Sequence, residues 1–221
     1  MSVIKNRKPR PTAPRWRRRK EDRPAEIVAA ALACFAEKGF AATRLEDIAE
    51  RAGVTRGTLY LYFQGKEEIF KAVVRQSILP ILVRGEAMVA ASDEPSGTLL
   101  ARLIENFPKA VLGSPVSALP KLVLTEVGNF PDLAEFYLEE VVRRGRRLIK
   151  ALVKRGIDRG EFRPVDLDHV FYCVIAPILL TLLWEHSFKP YDRSELEPDA
   201  MLRAHLDLLL NGLRRGSDHA A

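Results

Sequence analysis

The spacing of apolar side chains constrains the fold of this chain more than any other feature. Along most of its 221 residues they recur every three to four positions, which is the period of an amphipathic α-helix. No segment shows alternating β-branched residues flanked by Asn-Gly or Asp-Gly turns, which would indicate strands. The pattern predicts an all-α protein of about nine helices. We place them at residues 24–38, 44–52, 56–62, 66–90, 96–112, 116–129, 131–159, 166–187 and 198–214.

Positive charge is concentrated at the N-terminus. Residues 1–23 contain ten Lys or Arg and two acidic residues, whereas the rest of the chain contains 25 basic and 27 acidic residues. Because residues 1–22 lack apolar periodicity, we expect a disordered basic arm, followed by domains at 23–70 and 71–221. Basic arms commonly lie against nucleic acid. A solvated tail, or one that touches anionic lipid, is the alternative.

The composition is that of a protein of the reducing cytoplasm, with no membrane partner. The longest apolar run, residues 170–184, has 15 residues and contains Pro177, whereas a membrane span needs about 20. The basic, proline-rich N-terminus lacks the apolar region of a signal peptide. Cys34 and Cys173 belong to no CxxC pair and are too few for a disulfide framework.

Residues 43–66, TRLEDIAERAGVTRGTLYLYFQGK, have the pattern of a helix-turn-helix. Thr43 and Glu46 have the spacing of a capping box, which predicts a helix that starts at the residue after Thr43. Gly53 is a suitable C-terminal residue for that helix, and Thr55 can cap the next one. Two short helices joined by a tight turn that contains glycine form a helix-turn-helix.

The second of these helices has one apolar side and one unusual side. At 100° per residue, Leu59 and Phe63 point together into a core, and Gly57 and Leu61 lie on the opposite face. In a major groove Leu61 could contact a thymine methyl, and Arg56 could reach guanine or phosphate. Packing of the Leu61 face on a neighbouring helix is the alternative.

Polar residues on both sides of this face are candidates for phosphate binding. We expect the hydroxyl groups of Thr55, Thr58, Tyr60 and Tyr62 to hold phosphates at the two edges of the groove. Lys66 begins the next helix, where its ammonium and the free N–H groups both favour an anion.

The stretch from residue 43 to residue 66, with its segments IAERAGV, TRGTLYLYF and KEEIF, resembles the N-terminal domain of TetR/AcrR-type transcriptional regulators. The similarity runs without gaps from about residue 25 to 74, and the remainder resembles the family loosely, through helix count and the segment VLTEVGNFPDLAEFY. The resemblance implies a homodimer that binds a palindromic double-stranded operator and releases it when a small molecule occupies the C-terminal domain. By position, the implied DNA contacts are Thr43, Arg44, Thr55, Arg56, Gly57, Thr58, Tyr60, Tyr62 and Lys66.

The last two predicted helices, 166–187 and 198–214, are mostly apolar. A monomer of this size has limited capacity to cover both, so we expect them to pair with the same helices of a second chain around a two-fold axis. Burial of these surfaces within one monomer is the alternative.

Glu126 lies in the middle of an apolar stripe over residues 119–130. A buried carboxylate needs a partner. One hypothesis makes Glu126 a pocket acid that meets a ligand. The other pairs it with an arginine of the neighbouring helix, Arg143, Arg144 or Arg147.

Other aromatic residues could line a pocket for a small apolar or amphipathic effector, although plain core is the alternative for each. The pocket candidates are Phe107, Glu126, Phe130, Phe136, Tyr137, Tyr172 and Trp184. The four histidines form no HxxxH pair and no Cys/His cluster, so we expect no metal site. The sequence contains no nucleotide-binding loop or catalytic motif, so we expect no cofactor and no enzyme.

Together with what the resemblance implies, these features predict a ligand-released repressor. A ligand between C-terminal helices would tilt the predicted helix 66–90, with Pro80 as a kink, and change the distance between two recognition helices that must sit about 34–36 Å apart on DNA. An effector-independent DNA-binding or architectural protein that relies on its basic arm is the alternative.

Overall fold

The computed structural model of the chain describes residues 15–126, 128–192 and 197–215. Within these ranges the chain forms eleven α-helices and no β-strand, which confirms the predicted all-α class. Residues 1–14 of the predicted basic arm lie outside the described residues. The helices are α1 (Arg15–Lys38), α2 (Leu45–Arg51), α3 (Arg56–Tyr60), α4 (Lys66–Ser77), α5 (Leu79–Ala90), α6 (Ser96–Val111), α7 (Leu119–Glu126), α8 (Pro131–Tyr137), α9 (Arg143–Asp158), α10 (Leu167–Ser187) and α11 (Pro198–Leu213).

The first helix is longer than the sequence pattern predicts. We expected a disordered arm through residue 22 and a helix from residue 24, but the backbone is helical from Arg15. Arginine, lysine and glutamate, which dominate this stretch, have high helix propensity. Pro24 lies inside the helix and removes one backbone donor there.

Helices α1 to α4 pack around three phenylalanines. The rings of Phe35, Phe40 and Phe70 have centroids 5.3 to 6.0 Å apart and are almost fully buried. Leu59 of α3 is also fully buried, so this short helix is anchored by one side only. Its other side is left on the surface of the protein.

The predicted helix 66–90 is two helices in the structure. Helix α4 ends at Ser77, and α5 begins at Leu79 with Pro80 in its first turn. Proline has no N–H and clashes with the carbonyl four residues earlier, so it cannot continue α4, but it fits the first turn of α5. The expected kink is therefore a helix break at Ile78.

The core of the N-terminal helices continues into the C-terminal half. Leu119, Leu122 and Val123 of α7 and Leu133 of α8 belong to the same cluster of buried residues as the α1–α4 core. Helix α4 and Ile78 also belong to it. The expected domain border at residue 70 therefore divides a helix that packs as one unit.

A second core joins α6, α9, α10 and α11. The loop after α9 packs closely on this core, because a Cβ atom at Gly156 of α9 would lie 2.2 Å from the ring of Phe162 in that loop. Helix α9 is preceded by a π-helical turn, Leu138–Val142, that links it to α8. The predicted helix 131–159 is thus interrupted at one turn, and π-helical turns of this kind are frequent at functional sites.

Helix α10 leaves much of its apolar surface uncovered. By length and composition alone it could cross a membrane, but only 33% of its most apolar stretch of 18 residues is buried in the single chain. Tyr172, Cys173 and Leu180 are exposed along it, and Leu208 of the adjacent α11 is 74% exposed. We call this surface the α10–α11 face.

Candidate nucleic-acid interface and ligand cavity

Helices α2 and α3 form the predicted helix-turn-helix. Gly53 has a φ of +63° in the turn between them, a conformation that favours glycine. Thr55 is the N-cap of α3: its Oγ1 accepts the Thr58 N–H at 3.2 Å and lies 2.9 Å from the Thr58 hydroxyl. The predicted cap is confirmed.

The predicted capping box of α2 is wrong by one residue. The N-cap is Arg44 and not Thr43. The Arg44 N–H donates to Asp47 Oδ2 at 2.8 Å, so Asp47 takes the place that was predicted for Glu46. Thr43 is buried, and its hydroxyl donates to the Gly39 carbonyl at 2.6 Å. The hydroxyl therefore satisfies the C-terminal end of α1 and does not face outward with the other candidate DNA contacts.

One side of α3 faces solvent, as the helical angles predict. Leu61, just after the helix, is 79% exposed, and Tyr60 is 48% exposed. Gly57 borders open space, because a Cβ there would meet only the Thr55 hydroxyl at 3.8 Å. Because Gly57 has no side chain and Leu61 exposes an apolar one, another molecule can approach the backbone of α3 closely on this side.

Arg56 is held across the same surface. Its guanidinium lies 2.7 Å from Glu46 Oε1 and donates to the Tyr60 hydroxyl at 3.2 Å. The hydrogen bond to Tyr60 raises the pKa of Arg56 above its usual value, and Glu46 raises it further. Exposed ion pairs of this kind contribute little free energy, so Arg56 can exchange Glu46 for a phosphate or a guanine.

Lys66 is turned inward. Its Nζ donates to the carbonyls of Phe40, Ala41 and Thr43 at 2.7 to 3.1 Å and lies 4.5 Å from the centre of the Phe40 ring. Burial lowers the pKa of Lys66. Because an ammonium has three protons, these carbonyls use its whole donor capacity. The side chain fastens the α1–α2 loop, which differs from the predicted phosphate contact.

Glu126 is neither a pocket acid nor the partner of an arginine on the neighbouring helix. Its Oε1 accepts the Ala41 N–H at 3.4 Å, so it touches the loop that Lys66 also holds. Arg144 pairs instead with Glu86, with two contacts of 2.6 Å, and Arg143 pairs with Glu139. The carboxylate therefore connects the end of α7 to the N-terminal helices.

A cavity of about 360 Å³ lies between α5, α6, α9 and α10. Within the described part of the chain its walls are almost entirely apolar, and Arg84 and Asn106 are the two polar residues. Cavities of this size and character bind small molecules. The large apolar side chains that line it are Ile81, Leu82, Met88, Leu103, Ile104, Phe107, Leu148, Ile149, Phe171, Val174, Ile175 and Ile178.

Of the predicted pocket residues, Phe107 lines this cavity and the other six do not. Phe130 packs on Phe40 with centroids 4.8 Å apart, in the core that joins the two halves. Phe136 and Tyr137 pack against that same core, and burial raises the pKa of Tyr137 to about 12.

The two remaining aromatic candidates lie on α10 away from the cavity. Tyr172 is 54% exposed on the α10–α11 face. Trp184 packs on Phe188 and donates its Nε1–H to Asp192 at 2.9 Å. Sequence reasoning chose aromatic residues, whereas the walls are mostly aliphatic residues on four helices, and no local pattern distinguishes these from ordinary core.

Within the part of the chain that the structure describes, no group of three or more His, Cys, Asp or Glu side chains could hold a metal ion.

Comparison with known proteins gives one consistent result. Residues 27–73 match the family described as bacterial regulatory proteins, tetR family, and residues 95–197 match the family described as tetracyclin repressor-like, C-terminal domain. The chain is 25% identical over 199 residues to the transcriptional repressor KstR2 of Mycolicibacterium smegmatis, which covers 88% of this chain and 93% of that protein. It is 52% identical over 164 residues to the transcriptional regulator RutR of Escherichia coli K12, which covers 68% of this chain and 69% of RutR.

A solved structure agrees with the sequence comparisons. The ketosteroid transcriptional regulator KstR2 of Mycobacterium tuberculosis superposes with a TM-score of 0.67 at 25% identity, covering 88% of this chain and 96% of that one.

Proposed function

The chain belongs to the TetR family of bacterial DNA-binding transcriptional regulators, and we propose that it is a repressor that binds a palindromic operator as a homodimer and releases it when a small apolar or amphipathic molecule fills the cavity. The observation that carries the proposal is the presence, in one chain, of an exposed recognition surface on α3 and an aliphatic cavity between α5, α6, α9 and α10. We place this regulator in the cytoplasm.

The proposed DNA contacts centre on α3. Arg56 reads a base or a phosphate, and Leu61 and the backbone at Gly57 approach the floor of the major groove. Thr43 and Lys66 act indirectly, because their polar atoms hold the α1–α2 loop. The phosphate contacts at the edges of the groove are Arg44, Thr55, Thr58, Tyr60 and Tyr62.

The α10–α11 face is the proposed dimer interface. Tyr172, Cys173, Leu180 and Leu208 leave an apolar surface exposed to water in the single chain, and a second copy related by a two-fold axis would cover it. The same pairing sets the distance between two α3 helices, which must be about 34–36 Å for successive major grooves.

Two helical connections run from the cavity to the N-terminal helices. Helix α5, which lines the cavity, follows α4 directly at Ile78. The segment from α8 to α9 carries Gly145 on the cavity wall at one end. At its other end it carries Phe136, on whose ring Arg75 of α4 lies at 5.0 Å. A ligand that separates α5 from α9 therefore shifts α4, and coupling of this kind is typically about 1–3 kcal/mol.

The alternative is an effector-independent DNA-binding or architectural protein that relies on its basic arm. The cavity favours the ligand-released repressor, because a cavity in the core costs stability and an architectural protein gains nothing from it in return.

The test is a binding titration by fluorescence anisotropy, using DNA from upstream of the protein's own gene. We expect tight binding to one palindromic site, weakened at least tenfold by an apolar ligand. The variant Leu208→Asp should be monomeric in sedimentation and should lose operator affinity while keeping its helical content. Operator binding that no apolar ligand changes would favour the architectural alternative.

A further inference from the structure

Among the described residues, the cavity has one charged residue on its wall. This residue is Arg84 of α5, and the only other polar residue of the described chain that lines the cavity is Asn106 on α6. Both residues are exposed at the protein surface, so they mark the mouth of the cavity, while the other residues that line it are apolar. A ligand that fills this space has an apolar body inside and meets a cation and an amide at its outer end.

Arg84 differs from every other charged residue of α5 and α6. Glu86 pairs with Arg144, Arg102 pairs with Glu94, and Glu105 pairs with Lys109. Among the described residues, Arg84 has no hydrogen-bond or ion-pair partner. Its guanidinium is therefore free to bind a ligand without first losing an internal partner.

We propose that the cavity selects an apolar molecule with a single anionic end, and that Arg84 is the residue that recognises the anion. A guanidinium binds a carboxylate or a phosphate with two parallel hydrogen bonds, and the Asn106 amide supplies a further donor. This inference rests on the proposed function, because it names the ligand class of the same cavity.

The wall chemistry argues against cationic ligands. No Asp or Glu of the described part of the chain lines the cavity, and the nearest acids along α5 and α6, Glu86 and Glu105, already have basic partners. An ammonium at the mouth would face Arg84 with no compensating carboxylate. Like charges in such a position are repelled, so charge selects between ligands of equal apolar surface.

The size of the cavity limits the ligand. At about 30 Å³ for each water-sized group, a volume of 360 Å³ holds roughly twelve non-hydrogen atoms. A ten-carbon chain with a carboxylate has that size. We therefore choose ten-carbon probes that differ only in their end group.

The experiment compares decanoate, decyl phosphate, 1-decanol and decylamine by isothermal titration calorimetry on the full-length protein. We expect one of the anions to bind at least tenfold more tightly than the alcohol and the amine, because a charge-assisted bond is lost in both. Preference between decanoate and decyl phosphate identifies the anion. Equal affinity for all four probes, preference for the amine, or no binding of any probe would overturn the proposal.

Three variants locate the effect. Arg84→Gln should remove the preference for the anion and leave the affinity for 1-decanol unchanged. Arg102→Gln, on α6 outside the cavity wall, is the matched control and should bind as the parent does. Gly145→Leu fills the cavity from α9 and should weaken all four probes, with its fold checked by circular dichroism. An unchanged preference in Arg84→Gln would contradict the assignment of that residue.

Operator binding measured on the same samples separates this inference from the proposed function. If the anion binds through Arg84 but leaves the operator complex intact, the ligand class stands and ligand-driven release is wrong. If 1-decanol releases the operator as effectively as the anion does, ligand-driven release stands and selection by Arg84 is wrong.

Discussion

The N-terminal helices and the helices around the cavity have the same secondary structure but differ in how their polar groups are paired and in how closely they pack. Around the α1–α2 loop the polar groups are closely matched: Lys66 binds three carbonyls, and Thr43 binds a fourth. Around the cavity the walls are mostly aliphatic, and Arg84 has no partner among the residues that the structure describes. The hydrogen bonds of the first region fix the positions of its helix ends, whereas the second region encloses a volume that a ligand can occupy.

This difference indicates how the two regions respond to substitution. A surface that must match DNA needs fixed helix ends, so a lost hydrogen bond affects the whole N-terminal unit. A cavity that receives a ligand offers room for larger side chains, so substitutions that fill it need not unfold the protein. The following predictions test this contrast, from the largest expected effect to the smallest.

Lys66→Met should lower the free energy of unfolding by about 2–4 kcal/mol, because three carbonyls lose their donor and part-buried acceptors are costly to leave unsatisfied. Chemical denaturation followed by circular dichroism measures this loss. The exposed Lys109→Met, which lies on α6 outside the cavity wall, is the control and should change stability little.

The opposite result is equally informative. If Lys66→Met keeps its stability and only lowers the salt dependence of operator binding, by about one unit for each half-site, then Lys66 turns outward to a phosphate on DNA. The N-terminal loop would then be less firmly held than its contacts indicate.

Leu61→Glu should weaken operator binding about 30- to 100-fold, because a carboxylate replaces an apolar contact near the DNA phosphates, and each tenfold corresponds to about 1.4 kcal/mol. Its stability should match that of the parent, since Leu61 is 79% exposed. Anisotropy titration and thermal melting measure the two quantities. Leu124→Glu, at an exposed leucine of α7, is the matched control, and an equal loss of affinity there would show that position does not matter.

The same contrast explains what the sequence could predict. The helix-turn-helix depends on local signals, namely the Thr55 cap, the Gly53 turn and the opposed faces of Leu59 and Leu61, which lie within a few residues of one another. Those features agree with the structure. The Thr43 cap failed because the hydroxyl is used by the Gly39 carbonyl, a contact that the capping pattern cannot reveal.

The cavity could not be predicted because it has no local pattern. Its walls come from four helices, and residues such as Ile81 and Ile178 are distant in sequence. Glu126 illustrates the same limit, since its contact with Ala41 spans 85 residues. An apolar stripe predicts that a carboxylate needs a partner, but the packing of α7 decides which partner it meets.

Gly57→Ala should change the stability of the free protein and its affinity for the operator in opposite directions. Open space surrounds the position, and alanine favours a helix over glycine, so stability should rise by about 0.5–1 kcal/mol. Operator affinity should fall, since the added methyl separates the backbone from the groove. Thermal melting and anisotropy check both signs, and a gain in operator affinity would contradict close approach at Gly57.

Glu126→Gln should have the smallest effect of the series, about 0.5 kcal/mol or less in unfolding free energy. The amide oxygen of glutamine still accepts the Ala41 N–H, which is already a long contact of 3.4 Å, and only the charge near Lys66 is lost. Because Glu126 does not line the cavity, the affinity for a cavity ligand should stay the same, while the ligand's effect on operator affinity changes if this contact transmits it. A calorimetric titration in which Glu126→Gln weakens ligand binding itself would return Glu126 to the role of a pocket acid, and the separation between a fixed N-terminal unit and an open cavity would no longer hold.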